Sequence, residues 1–228
     1  AGTFTLIGGL TQAFSSGSAN GGSSDPALTD NTGLQTSAFA AQGTNNKTCG
    51  IQFQVSTVGY QQIVLNYDLR HSNTSSRFEQ VQYTTDINAP VPVWVDATMF
   101  DGNVGDTWFK NRTIDLSSVT ALNNNPNAAF RVVSTFEPST TAYAPTNISS
   151  SYAASGTWRF DMVEVKGQTT GNDITPPTAQ SYYFKDATHS VIVLNEAVSN
   201  STSTNLSNYS FSPALTVSNS SLSISADS

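Results

Sequence analysis

Residues 156–167 read GTWRFDMVEVKG, and in this stretch large apolar side chains alternate with charged ones. Because successive side chains of a strand point to opposite faces, Trp158 and Phe160 share one face, and Arg159 and Asp161 share the other. Charged residues make up only 11% of the chain, so a charged pair in one strand requires a structural, ionic or ligand-binding explanation. The stretch therefore predicts a strand with one face on the core and the other against a loop, an ion or a ligand.

The same alternation recurs along the chain and predicts an all-β protein, because no segment has a sustained apolar repeat of 3.6 residues. The predicted strands are IQFQVS (51–56), QIVLNYDLR (62–70), FEQVQYTT (78–85), VWVDATMF (93–100), AAFRVVSTF (128–136) and TWRFDMVEV (157–165). In the last of these, Met162 is predicted to face the core. Many strands separated by polar loops predict an antiparallel β-sandwich.

A change of composition after this series predicts a second domain. The segment QTTGNDITPP (168–177) reads as a linker, because Gly171 and the Pro176–Pro177 pair stop regular structure. Short β-prone segments follow it, so we predict domains at 1–168 and 178–228, joined by a linker at 169–177. The second domain is too short to bury a sandwich core unaided.

Composition limits the classes of partner. The chain carries 9 Lys+Arg against 16 Asp+Glu, and this net charge of −7 argues against nucleic acid or an anionic membrane as a partner. No apolar run approaches the roughly 18 residues that a membrane span needs. Cys49 is the only cysteine, so an intrachain disulfide is impossible. Scarce lysine and abundant Ser, Thr and Asn favour an exported protein at the cell surface or outside the cell.

The sequence contains eight N-x-S/T sequons, the acceptor pattern for N-glycosylation. With 20 Asn, 32 Ser and 29 Thr in 228 residues, most of these sequons follow from composition alone. The candidate sites are Asn46, Asn73, Asn111, Asn147, Asn200, Asn205, Asn208 and Asn219.

Residues 51–167 resemble a jelly-roll module found in large secreted and surface proteins of environmental bacteria. The matching blocks are FQVSTVGYQQIVLNYDLRHSNTSSRFEQVQYTTD, GDTWFKNRTIDLSS, FRVVSTFEP and SGTWRFDMVEV. The resemblance implies a jelly roll similar to galactose-binding and carbohydrate-binding modules, whose last strand often ends in Arg-x-Asp-x-Val-x-Val. Members are commonly non-catalytic appendages of larger proteins.

Residues 173–228 look like the first half of a bacterial Ig-like repeat, a type found in surface-layer and adhesion proteins. The second half of the repeat is missing. The resemblance implies an all-β chain in which a jelly roll precedes an incomplete Ig-like domain. Either the chain is a fragment of a longer surface protein, or another chain completes the domain.

In jelly-roll modules of this type, the last-strand aspartate often helps to hold a structural Ca²⁺, and Asp161 occupies the matching position. Because Ca²⁺ needs six to eight oxygen ligands, Asp25 and Asp30 of the N-terminal loop are the further candidates. The alternative is that Asp161 accepts hydrogen bonds from loop amides or pairs with Arg159 or Arg131. No other cofactor is predicted.

Sugar binding depends on flat aromatic rings, because the C–H faces of pyranoses stack on them. Trp108 and Tyr143 lie in polar loop sequences and are therefore predicted to be exposed ligand platforms. Trp94 and Tyr152 are further candidates, although core packing is the default for Trp94 and Trp158.

The common catalytic motifs G-x-S-x-G, H-E-x-x-H, the P-loop and G-x-G-x-x-G are absent, so no enzyme is predicted. The leading hypothesis is a structural or adhesive component of an extracellular surface, filament or matrix. The alternative is a carbohydrate-binding module of a larger secreted hydrolase. The N-terminal segment AGTFTLIGG (1–9) is β-prone, with Phe4 and Leu6 on one face, and is a candidate donor strand for a strand-exchanged polymer.

Overall fold

The computed structural model describes residues 2–26, 31–170, 177–186 and 189–195. The chain divides into two compact units, Ala1–Asn172 and Asp173–Ser228, and each is described separately. The described residues contain twelve strands and two single turns of 3₁₀ helix. None of their helices has the length and apolar character that crossing a membrane requires.

The first unit contains ten strands. Their bounds are β1 Thr3–Ile7, β2 Thr11–Ser16, β3 Thr32–Ser37, β4 Gly50–Gln54, β5 Tyr60–His71, β6 Phe78–Thr84, β7 Val95–Asp101, β8 Thr107–Asp115, β9 Ala129–Thr135 and β10 Trp158–Thr169. The 3₁₀ turns are Ala19–Gly21 and Thr120–Leu122. β10 continues one residue beyond the predicted end of the first domain.

The ten strands form two five-stranded antiparallel sheets that pack face to face. Sheet A has the order β1-β4-β9-β6-β7, and sheet B has the order β2-β3-β10-β5-β8. Strands β3 to β10 pair as if the chain were folded over at the β6–β7 connection. β6 pairs with β7, β5 with β8, β4 with β9 and β3 with β10. This folded-over arrangement in two sheets is that of a jelly roll, so the predicted all-β sandwich is confirmed.

The first two strands extend one sheet each. The chain crosses from β1 in sheet A to β2 in sheet B at Gly8 and Gly9, whose φ values of 76° and 80° favour glycine. β1 pairs with β4 of the same chain, with Phe4 opposite Phe53 and Leu6 opposite Ile51. The backbone of the candidate donor segment 1–9 is thus paired within its own sandwich, and donation to another chain stays a prediction that would require β1 to leave β4.

The core lies between the two sheets and is built from aromatic and branched side chains. Trp158 and Phe160 of β10 point into it, as the opening stretch predicts, and both are almost fully buried. Met162 does not. A bulge between Asp161 and Glu164 breaks the alternation, and Met162 takes a φ of 48° that turns it to the surface.

In the second unit, the described residues form one antiparallel hairpin of β11 (Ala179–Phe184) and β12 (Ser190–Leu194). Residues 196–228 lie outside the described residues. The Ig-like identity of this unit therefore stays a prediction.

Candidate functional site

A row of polar side chains crosses the outer face of sheet A. Gln52 of β4 lies opposite Arg131 of β9, which lies opposite Gln82 of β6, which in turn lies opposite Asp96 of β7. In β4, β6 and β9, the residues that flank them point the other way into the core, because side chains alternate along a strand. We call these four residues the polar row.

Hydrogen bonds fix the geometry of the polar row. Arg131 Nε donates to Gln82 Oε1 at 2.6 Å, and Gln82 Nε2 donates to Asp96 Oδ1 at 2.6 Å. Lys47, from the loop before β4, reaches across the face and donates to Asp96 Oδ2. Gln82 is almost fully buried although it points away from the core. The neighbouring side chains therefore shield the middle of the row from water.

Trp94 lies directly before β7 and packs on this row. The guanidinium carbon of Arg131 lies 4.2 Å from the centroid of its ring, which is a cation–π contact. Trp94 is only half-buried and does not belong to the core cluster. The default expectation that Trp94 packs in the core is therefore wrong.

The electrostatics of the polar row follow from this partial burial. Burial lowers the pKa of Arg131 to about 10, and the nearby Asp96 carboxylate acts in the opposite direction. Burial raises the pKa of Asp96, but the hydrogen bonds from Lys47 and Gln82 outweigh it, so that its pKa lies below the ordinary value. Both side chains are therefore charged at neutral pH, in a partly desolvated setting where polar contacts are stronger than in water.

The two residues predicted to be exposed sugar platforms are buried, so that prediction is wrong for both. Trp108 is 5% exposed, because it lies in β8 under the β2–β3 loop and its Nε1 donates to Ala19 O at 2.8 Å. Tyr143 is 2% exposed and stacks on Tyr152 with a centroid distance of 4.7 Å. Neither ring has a free face for a pyranose.

The outer face of sheet B carries a second polar cluster, beneath the loop that joins β2 to β3. Asp161 of β10 lies directly opposite Asp68 of β5, so two carboxylates are cross-strand neighbours. Ser23 Oγ donates to Asp161 Oδ2 at 2.7 Å, and Ser24 N donates to Asp68 Oδ2. Like charges that face each other are destabilising unless something compensates them.

A buried oxygen of the same cluster has no hydrogen-bond partner among the described residues. Asn31 Oδ1 is buried and unpaired, and it lies 1.6 Å from the point where a Cβ on Gly17 would sit. Asp161 Oδ2 lies 3.0 Å from that point, so the two oxygens share one small space that only a glycine leaves open. Buried polar atoms normally have partners, and this one therefore points to a missing donor or cation.

The predicted calcium ligands fall partly on this cluster. Asp161 belongs to it, and Asp25 lies in the same loop, where its amide donates to Ser23 Oγ at 3.3 Å. Asp30 lies outside the described residues. Within the described part of the chain, no three His, Cys, Asp or Glu side chains come together as a metal site. A calcium site here would therefore need amide and carbonyl oxygens in addition to the carboxylates of Asp161 and Asp68. Calcium binds all three kinds of oxygen.

Arg159 is the other member of the charged pair in residues 156–167, and its hydrogen bonds explain why it lies there. Its Nη1 donates to Ser16 O at 2.5 Å and its Nη2 donates to Gln35 Oε1 at 2.6 Å, so that it holds β2 and β3 against β10. Among the described ion pairs, none joins Asp161 to Arg159 or Arg131. The expected meeting of this strand face with a loop is therefore confirmed, and the proposed ion pairs of Asp161 are not formed.

Four of the eight sequons lie in the described residues. Asn46 and Asn111 are exposed, and Asn73 and Asn147 are half-buried. The Asn73 amide is already engaged in a hydrogen bond, since Nδ2 donates to Asp106 Oδ2 at 3.0 Å. Glycosylation stays a prediction at all eight positions, and the remaining four lie outside the described residues: Asn200, Asn205, Asn208 and Asn219.

Neither a protein-family model nor a curated protein matches the sequence. Several solved structures are similar in part. They include the CBM22-1–GH10 modules of an endo-1,4-β-D-xylanase 10B of Clostridium thermocellum, complexed with xylohexaose. The identity is 10%, 73% of this chain and 26% of that chain are covered, and the TM-score is 0.46. The aligned part thus spans about a quarter of that xylanase chain.

Two further similar structures are single domains. One is the CBM22-1 xylan-binding domain of Paenibacillus barcinonensis Xyn10C, with 13% identity, coverage of 74% and 87%, and a TM-score of 0.42. The other is the K1 cleaved adhesin domain of Lys-gingipain of Porphyromonas gingivalis, with 12% identity, coverage of 74% and 99%, and a TM-score of 0.38. With TM-scores below 0.5, these likenesses carry no weight for fold or function, and we assign the jelly roll from the strand pairing.

Proposed function

We propose that the first unit is a carbohydrate-binding module and that the outer face of sheet A binds the glycan. The observation that supports the proposal is the half-exposed ring of Trp94 beside the polar row. An apolar ring flanked by a few fixed polar groups is the usual composition of a small-molecule site. In this proposal, the unit is part of a larger secreted or surface protein.

The chemistry of the polar row suits sugar hydroxyls. The amide groups of Gln52 and Gln82 can both donate and accept hydrogen bonds, as hydroxyls can, and the guanidinium of Arg131 donates. Because Arg131 and Gln82 already hold each other, the row loses little side-chain entropy when a ligand binds. Trp94 supplies the apolar surface on which the C–H face of a pyranose stacks.

The sequence also suggests a structural or adhesive component of a cell surface. That function stays a prediction, and none of the contacts among the described residues favours it over glycan binding. Strand donation by segment 1–9, its proposed route to a polymer, is excluded while β1 remains paired with β4.

Replacing Trp94 by alanine is expected to weaken glycan binding at least about tenfold without unfolding the protein, because Trp94 lies outside the core cluster. A glycan array with the full chain identifies the ligand, and calorimetry measures the affinity. The control is Tyr60→Ala, which removes an exposed aromatic ring from sheet B. Equal losses in both variants, or a Trp94→Ala protein that binds as the wild type does, would contradict the proposal.

We further propose that the cluster under the β2–β3 loop holds a structural Ca²⁺. Asp68, Asp161 and Asn31 would supply side-chain oxygens, and oxygens of the loop would complete the shell. The unpaired Asn31 Oδ1 and the two facing carboxylates support this proposal. The cation would neutralise both carboxylates and hold the loop on sheet B.

Chelation by EDTA is expected to lower the melting temperature of the full chain by about 5–10 °C, and added Ca²⁺ should restore it, because only the native state binds the ion. Asp161→Asn should abolish the response, whereas Asp86→Asn, an exposed carboxylate in another loop, should keep it. A wild-type protein that does not respond to EDTA would leave Asp161 as a hydrogen-bond acceptor for Ser23.

A further inference from the structure

One arginine of this protein differs from the other four in its partners. Nitrogens of the other four bind carboxylates, or backbone and amide oxygens: Arg70 to Asp106, Arg77 to Asp101, Arg112 to Glu79, and Arg159 to Ser16 and Gln35. In Arg131, only Nε makes a hydrogen bond to the described residues, and that bond goes to the neutral amide of Gln82. The two terminal nitrogens of Arg131 thus have no partner within the described part of the chain.

The contacts around Arg131 fix the orientation of its guanidinium before any ligand binds. Its guanidinium is fixed by the bond from Nε to Gln82 and by the ring of Trp94, so its orientation is already determined. The nearest candidate carboxylate, Asp96, is occupied by Lys47 and Gln82, and it forms no ion pair with Arg131. Arg131 is therefore a partly buried guanidinium that feels Asp96 only at longer range, and its terminal N–H groups have no hydrogen-bond partner among the described residues.

We infer that the ligand of the outer face of sheet A carries a carboxylate, as a glycan containing uronic acid does, and that Arg131 binds it. This inference rests on the proposed glycan-binding function and adds the chemical class of the ligand. An arginine fork matches the two oxygens of a carboxylate with parallel hydrogen bonds. A neutral sugar satisfies the same nitrogens only with hydroxyls, and it gives the guanidinium no close counter-charge.

The net charge of the protein limits how densely charged the acidic glycan can be. The chain carries a net charge of −7, which repels a densely charged polyuronide at long range. Within the polar row and its partners, Lys47 and Asp96 neutralise each other, so that Arg131 contributes a single positive charge. The structure thus fits an isolated uronic acid on a neutral glycan backbone.

The test compares two ligands that differ only at the carboxylate. The probes are glucuronoxylan oligosaccharides with one glucuronic acid branch and the same oligosaccharides after reduction of the carboxylate to a hydroxymethyl group. Calorimetry with the full chain is expected to show at least about tenfold tighter binding of the acidic form. Arg131→Gln should remove this preference, and Arg131→Lys should keep only part of it, because lysine retains the charge without the fork.

The control variant is Lys166→Gln, which removes an exposed cation of sheet B and should preserve the preference. Equal affinities of the wild type for the acidic and reduced forms would overturn the inference and leave the glycan-binding function standing. If a glycan array shows no ligand of any kind, the proposed function fails and this inference fails with it. A preference retained in Arg131→Gln would also overturn the role of Arg131.

Discussion

Replacing Arg112 by methionine is expected to lower the free energy of unfolding by about 3–5 kcal/mol, because it leaves the buried Glu79 carboxylate without its main counter-charge. Glu79 is fully buried in β6, and its Oε1 lies 2.9 Å from Arg112 Nε, at ion-pair distance but outside hydrogen-bond alignment. The guanidinium also lies on two rings, 4.3 Å from the centroid of Phe100 and 4.5 Å from that of Phe109. Methionine retains much of this apolar packing, so the loss reports mainly on the charge.

Two other side chains lie beside Glu79 but do not replace the guanidinium as its counter-charge. His71 Nε2 lies 3.3 Å from Glu79 Oε2, and its Nδ1 lies 3.0 Å from Ser76 O. Tyr67 belongs to the same cluster, where burial and then the Glu79 carboxylate raise the pKa of Tyr67 well above its ordinary value. A carboxylate enclosed in this way has no access to water when the arginine is removed, and the expected loss is correspondingly large.

Urea unfolding of the full chain, followed by tryptophan fluorescence, measures this loss. All three tryptophans lie in the first unit, so the signal reports on the sandwich alone. The matched control is the double variant Glu79→Gln with Arg112→Met, which removes the unpaired charge and should recover much of the stability. A loss below about 1 kcal/mol for Arg112→Met would contradict the account, because that is the range of exposed ion pairs.

Replacing Trp158 by alanine is expected to cost about 3–5 kcal/mol, because it opens a large cavity between the sheets. Trp158 is fully buried, and its ring lies 5.0 Å from that of Phe39 and 5.3 Å from that of His71. Its Nε1 also donates to Ser76 O at 3.0 Å, and that acceptor would lose a bond. Trp158→Phe should lose clearly less in the same urea experiment, since it keeps an aromatic ring. Equal losses would show that the hydrogen bond, rather than the packing, determines the effect.

The strands that the sequence predicts well are those with long, regular alternation. β5 is the clearest example, because it keeps apolar residues on one face for most of its length. In β10 the alternation holds only up to the bulge after Asp161, which is why Met162 is misplaced. β2 and β3 are not predicted, because Ser, Thr and Gln dominate both and little alternation is visible. β8 is missed because a bulge opposite Tyr67 and Leu69 shifts its register, so that no single alternation runs through it.

The candidate site is less predictable because it depends on contacts between distant parts of the chain. Trp108 follows a Gly-containing loop, and the β2–β3 loop, almost ninety residues away, covers it and accepts its indole hydrogen bond. Trp94 precedes a strand and fits its alternation, yet it lies on Arg131 of another strand and stays half-exposed. The position of Asp161 against a loop is predictable from its strand face. That Asp68 and Asn31 lie beside it is not, because this depends on the strand register and on how the loop packs.

The most direct test of the glycan-binding face uses the indole N–H signals of the three tryptophans in a ¹⁵N-labelled full chain. Trp108 and Trp158 donate these groups to carbonyl oxygens in buried positions, whereas Trp94 lies half-exposed on the polar row. During titration with the tightest-binding glycan of the array, the signal of Trp94, assigned with Trp94→Phe, is expected to shift in a saturable manner while the other two stay fixed. Saturable binding that leaves the Trp94 signal unchanged would contradict the placement of the site on the outer face of sheet A.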